Sequence, residues 1–495
     1  MSKACMPISS QLATPPPVAW WKRAEIILGL LSAAAVLSAI FLHEDFVAWR
    51  ANGTHGAPNL WAVGPFVGLL LSIAVLPLVP WAKTWWESNS NKLMLAIAFS
   101  TVAMSQYLLS QGCERALTTV ENALLEEYVP FIVLLFSLYV ISGGISLTGD
   151  LAARPGTNTV LLGVGAAIAS FVGTTGASML LIRPLLQTNS ERKHVKHTVI
   201  FFIFLVSYIG GCLLPIGDPP LFLGYLKGVD FFWTLRLWPQ WLLTCVILLA
   251  VYYCWDRVAY RKETPRDITL DDTQRTKLTL SGKLNLFWLM GVVLCVALVK
   301  PGENFLGLGF VPFPFMRELL MLGMAALSLR FTSKQIRTDN EFNYHAILEV
   351  AALFIGIFIC MQAPIEILRA NGNSLADALG SPVRFFWATG ALSGFLDNAP
   401  TYVVFFETAA TMTPVSATDT VTLAGGGMIP QNLLVGISLG AVFMGAMTYI
   451  GNGPNFMVKA IAERSGVPMP GFFGYMAYSG VVLVPLFIMV TWMFL

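Results

Sequence analysis

From Ala24 onward, apolar runs of spanning length follow one another, with one long polar insertion at 257–283. A helix rises ~1.5 Å per residue, so ~20 apolar residues carry it across bilayer hydrocarbon with its backbone groups bonded inside the segment. Eleven such runs are expected, at residues 24–43, 62–81, 92–110, 127–148, 197–214, 236–256, 284–300, 311–331, 346–369, 431–450 and 472–494. A chain patterned this way reads as an all-α polytopic membrane protein with the lipid bilayer as its solvent. Only 12% of its residues are charged and 56% are hydrophobic, and the mean hydropathy of +0.68 lies outside the soluble globular range. The net charge of +2 gives no reason to expect a nucleic-acid partner. The seven cysteines lack CxxC or Cys/His metal spacing and read as small apolar helix residues. Residues 1–23 hold a Pro run without a signal-peptide core and read as a cytoplasmic tail.

Two apolar stretches break the scheme. Residues 158–187 and 383–412 are each interrupted halfway by a polar knot, GTTGAS (Gly173 to Ser178) and LDNAPT (Leu396 to Thr401). Each arm has ~12 to 15 residues, too few to span at ~1.5 Å apiece, so each stretch is expected to be a re-entrant hairpin with the knot at its tip. Charge supports this layout. With the amino terminus inside and both hairpins re-entrant, 21 of the 30 Lys and Arg residues fall on the cytoplasmic side and seven outside, as the positive-inside rule requires. Threading either hairpin as a full span would invert everything after it. The layout puts the carboxy terminus outside the inner membrane.

The order of segments contains a repeat. After a first helix and outer loop (24–61), residues 62–256 form one unit, 257–283 a cytoplasmic linker and 284–495 a second unit. Each unit has an odd number of crossings, so the second is inverted relative to the first. Setting Gly217 on Gly451 matches Gly211 with Gly445, Ile216 with Ile450, Pro220 with Pro454 and Phe222 with Phe456. Setting Ser170 on Ser393 puts the two tips opposite each other. Inverted repeats with broken helices are the architecture of many secondary transporters, whose sites lie near the midplane at the repeat interface.

Unwound backbone at membrane depth survives only where it is buried in protein or lines a wet cavity. Its freed carbonyls and half-helix ends then serve as ion ligands. Two related sites are expected: one from Gly173, Thr174, Thr175, Gly217 and Asp218, the other from Asp397, Asn398, Gly451, Asn452 and Asn455. A carboxylate at bilayer depth costs at least ~2.5 kcal/mol on insertion scales, which marks Asp397 and Asp218 as candidate Na+ ligands. Hard cations prefer such oxygens, and protons compete for the same carboxylates. Both aspartates also stand where a helix cap is expected, and the two roles can coexist.

The segments GTTGASMLLIRPLL, LLPIGDPPLFLGYLKG, SGFLDNAP and YIGNGPNFMVKAIAE resemble the ion transporter superfamily, particularly its NhaD-type sodium/proton antiporters and bacterial citrate transporters. The resemblance runs from about residue 60 onward. It implies eleven spans, two re-entrant hairpins, a scaffold and a transport subdomain, and a homodimer. The dicarboxylate branch carries Ser-Asn-Thr at its tips; this chain has Gly173-Thr174-Thr175 and Asp397-Asn398-Ala399.

The expected activity is Na+/H+ antiport by alternating access, with Na+- or H+-coupled citrate or dicarboxylate symport as the alternative. A symporter must neutralise a multiply charged anion, and the candidate sites offer no Arg or Lys. No Walker motif occurs, which disfavours ATP-driven transport. No nucleophile with its base, and no metal cluster, stands at membrane depth, so neither an enzyme nor a cofactor is expected. Arg183 and Glu407, each about ten residues past a tip, are expected to snorkel or to anchor the hairpins rather than to bind an ion.

Overall fold

The computed structural model describes residues 58–273, 276–300, 304–305, 308–412, 420–424 and 426–495, without the side chains of 272 and 371–378. The expected tail and the span at 24–43 lie outside these residues. Among the described residues, the helical runs Leu60–Leu78, Asn89–Gln111, Cys113–Ser142, Lys196–Leu213, Trp233–Tyr260, His345–Ala370 and Phe472–Phe494 are long and apolar enough to cross a membrane. Leu284–Leu298 and Gln431–Met447 are shorter apolar helices, and Met316–Phe331 occupies the remaining expected span. The chain is therefore an all-α polytopic membrane protein.

Both interrupted stretches are helical pairs. The first runs as Pro155–Val172 and Thr174–Thr188, joined through Gly173, whose φ of +79° suits a residue without a Cβ. Pro155 opens the first arm at a position where a missing N–H costs nothing. That arm is longer than the sequence suggests: at 18 residues it reaches spanning length by itself, because the helix starts before Asn158. The second pair, Pro382–Phe395 and Asn398–Ala410, turns through the extended residues Leu396 and Asp397. Ser381 caps its first arm by accepting from the Arg384 N–H at 3.3 Å.

Two other helices are broken. The helix Lys196–Leu205 ends near Tyr208, passes through a 3-10 turn at Ile209–Leu213 and an extended stretch, and resumes as the half-helix Pro219–Leu226. Gln431–Met444 likewise passes through Gly445–Met447 and resumes as Gly453–Arg464. In each break a glycine is required by close approach. A Cβ at Gly217 would lie 2.2 Å from the Gly211 carbonyl oxygen, and one at Gly451 would lie 2.4 Å from that of Gly445. The two breaks thus fold back on themselves over the same six-residue spacing.

Packing brings the halves together in a crossed pattern. The second arm of the first hairpin packs on the half-helix Gly453–Arg464, and the second arm of the second hairpin packs on Pro219–Leu226. The first arm of each hairpin packs on the break of its own half. This assembly is central: 89% of the most apolar window of Lys196–Leu213 is buried, against 28% for Asn89–Gln111, which keeps its apolar face outward. The linker is more than a tether. Its first residues continue the helix that ends at Tyr260, and strand Thr276–Ser281 pairs antiparallel with Ser146–Asp150, Ser146 opposite Ser281.

Candidate functional site

Asp218 sits where the first break resumes as a helix, and it is 1% exposed. The helix uses its backbone, since the Asp218 carbonyl accepts from the Leu221 N–H at 3.1 Å. Its side chain makes no cap and is free to reach elsewhere. The Asn398 amide donates to one carboxylate oxygen at 2.9 Å. The Asn452 amide donates to the other at 3.3 Å, and the Thr174 hydroxyl donates to that same oxygen at 3.4 Å. These donors come from both hairpin tips and from the second break. All three are neutral, so the described hydrogen bonds stabilise the carboxylate without cancelling its charge.

Local structure explains why these side chains converge. Thr174 and Asn398 are each the first helical residue of a second hairpin arm. Asn452 is the residue before the half-helix Gly453–Arg464, as Asp218 is before Pro219–Leu226. The Thr174 N–H donates to the Gly217 carbonyl at 2.9 Å, tying the first tip to its own break. The Thr448 hydroxyl donates to the Gly394 carbonyl at 2.5 Å, tying the second. Further buried hydroxyls satisfy freed carbonyls: Ser170 donates to Gly210 at 2.5 Å and Ser393 to Ala441 at 2.7 Å. The Asn455 amide donates to the Thr448 carbonyl at 2.9 Å.

Not every polar atom is matched. The Asn398 Oδ1, Asn455 Oδ1 and Tyr208 Oη atoms are buried with no hydrogen-bond partner. Each such group costs about 1–3 kcal/mol if nothing binds it. Two of the three are amide oxygens, which accept and never donate, so they suit a cation or a water.

Residues expected in the two related sites meet at Asp218. Asn398 and Asn452 are joined to Asp218 rather than to Asp397, because each half-helix packs on the hairpin of the other half. Asp397 caps its own helix instead, accepting from the Ala399 N–H at 3.0 Å, and is half-buried. Gly173, Gly217 and Gly451 shape the backbone around the carboxylate. No hydrogen bond links Thr175 to Asp218 among those described, and Asn455 reaches Thr448. The equivalence of the tips also shifts by one residue from the alignment of Ser170 with Ser393, since Thr174 and Asn398 occupy the same helix position. Tyr208 escaped the sequence reading; its place three residues before Gly211 in the break was the available signal.

The hairpin ends are fastened at charged clusters. Arg183 donates to the Asn340 carbonyl and pairs with Glu341 at 3.0 Å. Glu407 takes a two-pronged pair from Arg369 at 2.9 and 3.0 Å, and Lys227 bridges Glu407 at 3.2 Å and Glu127 at 2.5 Å. Near the open end of the first hairpin, Asp256 binds Arg192 at 2.5 Å and His197 at 2.9 Å, with Asn158 at 3.4 Å. His197 is therefore held in a buried polar network. Among the described residues, no group of three or more His, Cys, Asp and Glu side chains is placed to hold a metal ion.

Comparisons with known proteins extend the picture beyond geometry. The profile of a family described as "Putative citrate transport" matches residues 55–495. Uncharacterized transporters of Mycobacterium bovis and Mycobacterium tuberculosis are each 26% identical over 328 residues, which is 63% of this chain and 70% of theirs. Together with the apolar helices, these likenesses make the chain a multi-pass membrane transport protein.

Proposed function

This chain belongs to the family described as "Putative citrate transport", and from that premise we propose a secondary transporter that couples to Na+ at Asp218 and exchanges Na+ for H+. The observation that carries the reading is a buried carboxylate held by neutral donors from both hairpin tips and the second break. An unneutralised carboxylate at membrane depth is expensive, and a cation or a proton relieves that cost. Because Na+ and H+ compete for one group, occupancy by either excludes the other, which is the requirement for exchange. Asp397 is the second carboxylate of this centre, and in this reading it electrostatically favours the loaded state. The amino terminus is cytoplasmic, the carboxy terminus lies outside the inner membrane, and the unit is a homodimer.

The family description favours a second reading, uptake of citrate or a dicarboxylate coupled to Na+ or H+. There a cation at Asp218 would offset the carboxylate before the anion met the tip donors. Purified protein in liposomes with an acidic interior and an internal pH dye separates the two. Proton efflux on adding NaCl, absent with choline chloride, supports exchange. Silence with cations alone, together with Na+-dependent uptake of labelled citrate, replaces exchange with symport. Silence in both assays overturns the cation site.

A further inference from the structure

Tyr208 stands at the point where the first broken helix loses its regular conformation, with φ −138° and ψ −81°. It is 0% exposed, and its hydroxyl has no hydrogen-bond partner. The ring does not stay in its own half. A Cβ at Gly445 would meet the ring carbon Cε1 at 2.3 Å, and one at Gly451 would meet the hydroxyl oxygen at 2.8 Å. The side chain therefore occupies space that two glycines of the second break leave open, beside Asn452, which bonds Asp218.

Symmetry does not explain this contact. With Gly217 set on Gly451, the position equivalent to Tyr208 is Val442, which has no polar atom to return. The hydroxyl is supplied once, by the first half, to the second. Packing alone does not require it either: phenylalanine would fill the same space without leaving a polar atom unmatched. A buried unpartnered hydroxyl is tolerated where something absent from the bare protein pairs with it.

We propose that the Tyr208 hydroxyl is an oxygen ligand of the bound cation and sets the size of ion accepted beside Asp218. The inference rests on the cation reading above. A neutral oxygen adds coordination without adding charge, so it tunes selectivity among alkali cations while Asp218 supplies the attraction. The rigid ring wedged against Gly445 and Gly451 fixes that oxygen in place, which suits discrimination by radius. Asn398 Oδ1, the unpartnered oxygen of the amide that donates to Asp218, would be a further member of the set.

The test compares wild type, Tyr208→Phe and Tyr475→Phe in liposomes with NaCl, LiCl and KCl. Tyr475 is a buried tyrosine whose hydroxyl donates to the Ala446 carbonyl at 2.9 Å, so its variant also loses one hydroxyl from the core. Tyr208→Phe is expected to raise the half-saturating Na+ concentration at least fivefold and change the Na+ to Li+ preference at least threefold. Tyr475→Phe is expected to keep the wild-type preference. A Tyr208→Phe protein with wild-type cation preference and affinity overturns the inference while leaving the cation reading intact. A wild type indifferent to every alkali cation overturns both. If Tyr208→Phe purifies poorly, the same preference measured in everted membrane vesicles keeps the comparison decisive.

Discussion

Replacing Asp218 with Asn removes one charge and changes little volume, so its consequences follow from the three donors around the carboxylate. Only the Asn398 contact is short at 2.9 Å; those from Asn452 and Thr174, at 3.3 and 3.4 Å, are long. A hydrogen bond to a charged group contributes about 1.5–3 kcal/mol, and an Asn side chain must turn its own NH2 toward one of these donors. Against that loss stands the desolvation of a buried unpaired carboxylate, which costs several kcal/mol. The second effect is the larger in the absence of Na+, so Asp218→Asn should melt at or above the wild-type temperature in choline chloride. Sodium reverses the order. A unit charge ~3 Å from a cation contributes ~5 kcal/mol at an effective dielectric of ~20, and losing even half of that weakens binding about 100-fold. At 100 times its dissociation constant, Na+ should raise wild-type stability by about 2.7 kcal/mol. The variant should show no such gain and no Na+-driven proton efflux. The assay is thermal unfolding in detergent with NaCl against choline chloride, beside the liposome measurement. A variant that is still stabilised by Na+ and still exchanges protons refutes the assignment of Asp218.

Three further substitutions probe what surrounds the site. Asp397→Ala should lose about 1 kcal/mol through its missing cap, whereas Asp397→Asn should keep wild-type stability because Asn caps equally well; thermal unfolding of the two distinguishes them. Glu407→Gln removes the shared partner of Arg369 and Lys227, and with the Arg369 side chain 58% exposed the loss should be about 1–2 kcal/mol, below that of a fully buried pair. Asp256→Asn leaves the buried Arg192 with only the longer Glu263 pair at 3.7 Å and takes the carboxylate from His197, so a loss of about 2–3 kcal/mol is expected, below that of an isolated buried pair; an unchanged melting temperature would show that the network is dispensable.

Much of the architecture was legible because membrane solvation imposes a simple code. Apolar runs of spanning length had to be helices, and the knots GTTGAS and LDNAPT had to interrupt them, since lipid forbids unpaired backbone. The glycines of the breaks were legible for a related reason: Gly211 with Gly217, and Gly445 with Gly451, repeat one spacing, and in each pair the chain approaches itself too closely for a Cβ. The start of the first hairpin arm was read less well. Asn158 is polar, but the arm begins earlier at Pro155, and its buried amide bonds Asn189 at 2.8 Å in a network the sequence does not reveal.

What the sequence by itself determined is the set of local conformations: which segments are apolar helices, where they break, and which polar residues stand at the breaks. Those properties follow from each segment's own hydropathy, glycines and prolines. The tertiary structure alone decided which breaks meet. Each hairpin's second arm packs on the half-helix of the other half, so Asn398 and Asn452 reach Asp218, while Asp397 turns back to cap its own helix. Two aspartates with similar local surroundings thereby acquire different partners. The physical reason is that the partner of a buried side chain is fixed by the packing of segments 180 and 234 residues apart in the chain, and no local pattern encodes that packing.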